Sequence, residues 1–259
     1  GSRSPPGPSA PCNQATALYE LRLHHYVLGL EYAASPYAFH TLGSCMAINA
    51  TAYAQVRGFP KRSGGEDFYL LNKIAKTGPV SRLAGSCISL ESRESERVPF
   101  GTGPAVRDIV NADDMTTLPL YYHPEIFHAL KMLLLVVPIL FEDREVTIKQ
   151  ALVSTGLEAN LAQASSVELQ KLGLEAALIH CRQQGKSAQQ FSSQFHQWFD
   201  GFRTLKFLHA IERRGWPRQT LAQLQAIKPS LWPVQTGTDA VTEQLIDSVR
   251  RYWGWSANA

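Results

Sequence analysis

From about residue 105 to the end of the chain, apolar residues recur at helical spacing and strand signals disappear. Long helical patterns cover residues 125–141, 146–155, 166–183, 188–213 and 238–252. All five tryptophans (Trp198, Trp216, Trp232, Trp253 and Trp255) fall within this part. Such a segment can bury its apolar stripes only by packing helix on helix, so residues 111–259 are expected to form a helical domain. The texture ahead of it is mixed. A helix over residues 13–32 carries Leu18, Leu21, Tyr26 and Leu30 and is closed by Pro36. Phe39, Leu42, Met46 and Ile48 suggest one or two strands within residues 38–50, around Gly43-Ser44. One or two helical turns at 51–56 stop at Gly58 and Pro60, and a helix over 66–76 ends at Gly78-Pro79. Short strands are expected at 80–83 and 87–90, then a loop over 91–104. The fold class expected is therefore α+β, mostly helical, with a mixed α/β segment over 13–110. Residues 1–12, rich in Pro, Ser and Gly, read as a tail or linker of a chain cut from a longer protein.

Composition narrows the function classes. With 44% hydrophobic and 18% charged residues in a chain of 259, wholesale disorder is excluded. A net charge of +3, with no clustered basic face, does not call for a nucleic-acid partner. Cys12, Cys45, Cys87 and Cys181 lie far apart with no CxxC pair, which argues against a zinc module and for reduced thiols in a cytoplasmic setting. The most apolar stretch, residues 132–141, is shorter than the roughly 20 residues of a membrane span, so a buried helix and no membrane contact are expected. No internal period is visible.

Chemistry concentrates in Gly64-Gly65-Glu66-Asp67-Phe68. Two glycines precede a helix whose first turn carries two carboxylates, where the helix dipole stabilises negative charge. On a 3.6-residue wheel Asp67 shares a stripe with Leu70, Leu71 and Ile74, so it points into the protein, while Glu66 lies nearer Tyr69 and Lys73. Partial burial of a carboxylate raises its pKa toward that of a general base, and the dipole pulls the other way. The plain alternative is that the pair only complements the helix end. The five letters also resemble the diguanylate cyclase signature. In that family the motif sits on a hairpin turn, whereas residues 68–73 here continue as a helix, and the family's upstream metal-binding residues are missing.

A wider set of residues resembles another family. Ser35-Pro36-Tyr37-Ala38-Phe39, Gly43-Ser44, Ala47-Ile48-Asn49-Ala50, Tyr53, Arg57-Gly58-Phe59 and Gly65-Glu66-Asp67 together resemble the family 2 inverting glycosyltransferases. The likeness is to the second half of their GT-A catalytic domain, over roughly residues 15–108. Arg57-Gly58-Phe59 stands where Gly-Gly-Phe is common. The stretch from Trp198 to His209 is similar to a bacterial subgroup with helical C-terminal extensions. The resemblance implies a partial GT-A type segment over 13–110, followed by the helical domain. It implies that Asp67, paired with Glu66, is the catalytic base that deprotonates an acceptor hydroxyl, and it puts Gly43 and Ser44 on the substrate side.

The half of that domain which binds the nucleotide sugar, with an Asp-x-Asp holding a divalent metal (Mg or Mn), has no counterpart here. Asp113-Asp114 follows no apolar strand and reads as a solvated loop or cap. The chain alone is thus expected to bind no metal and to be inactive, its donor and acceptor being engaged by the complete enzyme. Arg93 and Arg97 could grip phosphate oxygens from a glycine-bearing loop, or pair with Glu91, Glu94 and Glu96. His24-His25 lies in a helix with one of the two facing outward, and in some family members a late histidine, here His40 or His123, completes the metal site. The competing function is a non-catalytic helical binding or assembly module derived from such an enzyme. Strand edges without their other half also lead us to expect self-association.

Overall fold

The computed structural model describes residues 10–62, 64–86, 101–227, 231 and 242–256. Among these the chain is mostly helical. The first helices are α1 (Ala10–Tyr32), α2 (Ala50–Gln55), α3 (Glu66–Ile74) and α4 (Thr102–Val110). There follow α5 (Pro124–Glu142), α6 (Ile148–Ser154), α7 (Ala159–Lys171) and α8 (Leu174–Gln184). The last are α9 (Ala188–Trp198), α10 (Gly201–Glu212), α11 (Leu221–Ala226) and α12 (Thr242–Tyr252). Two short strands, β1 (Gly85–Ser86) and β2 (Trp255–Ser256), pair in parallel.

The centre of the fold is α1. Its apolar residues are not confined to one stripe, and a helix apolar on several sides must be enclosed. Cys12, Ala15 and Leu18 pack on Val106 and Ile109 of α4. Leu21, Val27 and Leu28 meet Leu245, Ile246 and Val249 of α12. Leu30 joins the main core, built largely from α5 to α10. The structure corrects the expectation for the histidine pair: both are buried, His24 among the rings of His40, Trp253 and Trp255, and His25 against those of Tyr121 and Phe127. At Gly29 the approach of α5 is so close that an added Cβ would lie 2.5 Å from the Phe127 ring.

The apolar stretch of the sequence lies in α5, which is longer than the 10 residues singled out above. Its 19 residues make it long and apolar enough to cross a membrane. Ile126, Phe127, Leu130, Leu133, Val136, Val137 and Leu140 face the main core, whereas Leu135 and Ile139 are exposed. Two expected long helices are each broken. Gly173, in the left-handed region at φ 88°, separates α7 from α8. α9 closes at Phe199, and Asp200 caps the next helix, accepting a bond from the Arg203 amide at 3.1 Å.

The strands expected within residues 38–50 are absent. Leu42 and Met46 have extended dihedrals, but no neighbouring strand pairs with them among the described residues, and the segment contains a 3-10 turn at Gly43–Cys45. Residues 80–83 are likewise irregular, with β1 just beyond them, and residues 87–90 lie outside the described residues. The expected loop over 91–104 is cut short at its far end, because α4 begins at Thr102.

Candidate functional site

Residues 43–76 form a small unit on the helical body. Asn49 caps α2, its side-chain oxygen accepting the Ala52 amide at 2.8 Å. The helix ends in two left-handed residues, Arg57 at φ 61° and Gly58 at φ 65°. An added Cβ at Gly58 would fall 2.8 Å from the end of the exposed Tyr53 ring, which has room to move, so the left-handed conformation is the main reason for glycine here. Gly65, also left-handed, sits at the N-cap of α3 and turns the chain into Glu66 and Asp67. Leu70 and Ile74 pack on Val56, with Met46, Ile48 and Val80 around them. Arg62 stacks on the Tyr69 ring at 3.8 Å.

The inward stripe expected for α3 is present: Leu70, Leu71 and Ile74 are buried, Asp67 is half-buried and Glu66 is exposed. The Asp67 carboxylate is held by two amides. Oδ2 accepts the Gly43 N–H at 3.0 Å and Oδ1 accepts the Phe68 N–H at 2.7 Å. An added Cβ at Gly43 would stand 3.2 Å from Asp67 Oδ2, so the turn approaches the carboxylate closely. Ser44 is exposed, its hydroxyl 3.7 Å from Cys45 Sγ. Asp67 and Gly43 are thus brought together, Glu66 and Ser44 flank them on the surface, and Arg93 and Arg97 lie outside the described residues. A carboxylate fixed by two donors at a helix N-terminus keeps further lone pairs with which to accept a hydroxyl proton.

The far end of α3 is tied to α10 by a buried polar node that the sequence reading missed. Asp200 Oδ2 accepts from Asn72 Nδ2 at 3.1 Å and Lys76 Nζ at 2.5 Å, and the Gly201 amide donates to Asn72 Oδ1 at 2.8 Å. Burial alone would raise the Asp200 pKa. The bonds from Lys76, the Arg203 amide and Asn72, with the Lys76 charge, bring it below the usual carboxylate range. Asp200-Gly201 after an apolar run is an N-cap signal that could have exposed the break before α10. Nothing in the spacing of Asn72 or Lys76 could have shown their partner.

The candidate metal histidines have other duties. His40 Nε2 lies 3.1 Å from His24 Nδ1, and His24 Nε2 lies 3.1 Å from Glu20 Oε1. Burial, then the neighbouring His24 and Arg82, lower the His40 pKa to about 3 against the opposing pull of Glu20, so His40 is neutral near pH 7. His123 caps α5 by accepting the Glu125 amide at 3.2 Å. Asp114 accepts the Thr116 amide and hydroxyl at a short 3-10 turn, the capping role expected of it. Among the described residues no three His, Cys, Asp or Glu side chains are grouped to hold a metal ion. Comparison with protein families, curated proteins and solved structures finds no match to this chain.

Proposed function

We propose that this chain is the C-terminal portion of a family 2 inverting glycosyltransferase whose donor-binding half lies outside it. The observation that carries the reading is the bond from the Gly43 amide to Asp67. It joins two separate parts of the resembling pattern, the small-residue turn and the Glu66-Asp67 pair, at one half-buried carboxylate. In the reaction, the acceptor oxygen attacks the anomeric carbon and its proton passes to Asp67. The bond from that carbon to the diphosphate oxygen breaks, and the nucleoside diphosphate leaves with the electron pair. Residues 13–110 would then be a partial GT-A type segment. Exposed Tyr53 and Phe59, beside the satellite core, add apolar surface of the kind an adjoining domain covers. The described residues do not fit the divalent cation implied by the family, with no three His, Cys, Asp or Glu side chains grouped to hold it.

The competing reading, a helical binding or assembly module, draws on the predominance of helix. The stereochemistry of transfer separates the two. The complete protein, given nucleotide-sugar donors and hydroxyl acceptors, is expected to form a glycoside with the anomeric configuration inverted, read from proton coupling constants. Retained configuration, or no transfer from any donor, would overturn the proposal.

A further inference from the structure

The cleft between α7 and α10 is remote in sequence from Asp67, and the role proposed for Asp67 does not use it. It is an open cleft of about 330 Å³, and Glu168, Lys171, Lys206, His209 and Arg213 line it. The one carboxylate is paired through a single oxygen, with Lys171 at 2.9 Å and Arg214 at 2.7 Å from Glu168 Oε1. Lys206 and Arg213 have no carboxylate partner among the described residues; Lys206 instead lies over the Phe202 ring at 4.5 Å. Lys206 lies in α10 and Arg213 is its C-cap residue, seven positions on and about two turns along one face, with His209 between them. The His209 ring is fixed by stacking on Tyr122, with centroids 5.9 Å apart.

The geometry points to this cleft as a binding site for the phosphate group of a ligand, held by Lys206 and Arg213 with His209 as a third donor. Two unpaired cations around a concave surface suit a doubly charged tetrahedral anion, and a guanidinium offers it paired N–H donors. The local field has the right sign. Burial first, then the charges of Arg218, Arg213 and Arg22 against the opposing Glu212, lower the His209 pKa. An anion in the cleft would offset those charges and raise it. The site does not depend on the glycosyltransfer reading, and either can fail without the other.

Nuclear magnetic resonance of the full chain tests it, with inorganic phosphate titrated at constant ionic strength. The expected result is a saturable shift of the His209 ring resonances with a raised pKa, and binding weakened about tenfold or more in Lys206→Gln and in Arg213→Gln. Both side chains are exposed, so these variants are expected to fold as wild type does. A second arm uses phosphatidylcholine vesicles with and without phosphatidic acid. Cosedimentation that requires phosphatidic acid and is lost in the double variant would assign the phosphate to a lipid headgroup; response to inorganic phosphate alone would assign it to a soluble ligand. No saturable effect in either arm, or binding unchanged in the double variant, would overturn the site.

Discussion

Asp200 shows how much one side chain can fasten. It caps α10, accepts from Asn72 and pairs with Lys76, so the helix that carries Asp67 in its first turn is fixed toward its other end by a single buried carboxylate. Replacing it with alanine removes the cap and leaves Asn72 and Lys76 short of an acceptor. Asp200→Ala is expected to cost roughly 2–4 kcal/mol in urea denaturation. Asp200→Asn keeps a capping oxygen and costs less. The folded pKa of Asp200 is depressed, so its stabilisation is fully present above about pH 4 and is lost as pH falls through the lowered value. The asparagine variant should therefore lose part of the acid limb of the stability profile; an unchanged limb would remove Asp200 from it. At this scale the sequence was partly legible. The inward turn of Asp67 follows from the helical wheel alone, because Leu70, Leu71 and Ile74 share its side. Its bond to Gly43 spans 24 residues and leaves no periodic trace.

Between elements, α1 and α5 approach each other closely at Gly29 and Phe127. Gly29→Ala would drive a methyl group into the aromatic ring, and strain of this kind costs about 1–3 kcal/mol. Chemical denaturation should show that loss, whereas alanine at a solvent-facing helical glycine would stabilise. An unchanged midpoint would mean that the two helices are less tightly apposed. Helices were the most legible elements, since their apolar spacing survives in any context. Their boundaries were less so: the loop expected over 91–104 ran to Pro104, yet that residue sits in the first turn of α4, where a missing N–H costs nothing. The strands were misread for a different reason. Residues 38–50 carry β-forming side chains and adopt extended dihedrals at Leu42 and Met46, but a strand also needs a neighbour to accept its hydrogen bonds. Sequence patterning reports the first condition and not the second.

Over the whole molecule, the C-terminal helix closes back on the first one. Arg250 pairs with Glu20 at 2.6 Å, and the Trp253 indole N–H donates to both oxygens of Glu31 at 3.1 Å. Arg82 bridges the same carboxylate and stacks over Trp253 at 4.1 Å. Through Trp253 and β2 the end of the chain also reaches the segment that follows α3. The segment that follows the Asp67 helix is thus anchored to the helical body through Arg82, Trp253 and the pairing of β1 with β2. The central claim is that Asp67 takes the proton of the acceptor hydroxyl. Its most direct test is kcat for sugar transfer by the complete protein, wild type against Asp67→Asn, with folding checked by circular dichroism. Asparagine keeps the shape and can still accept the Gly43 N–H, but it cannot serve as the base. We predict a fall in kcat of about 100-fold or more, with little change in donor affinity. A kcat within about twofold of wild type would contradict the claim and leave Asp67 as an acid that only complements the start of its helix.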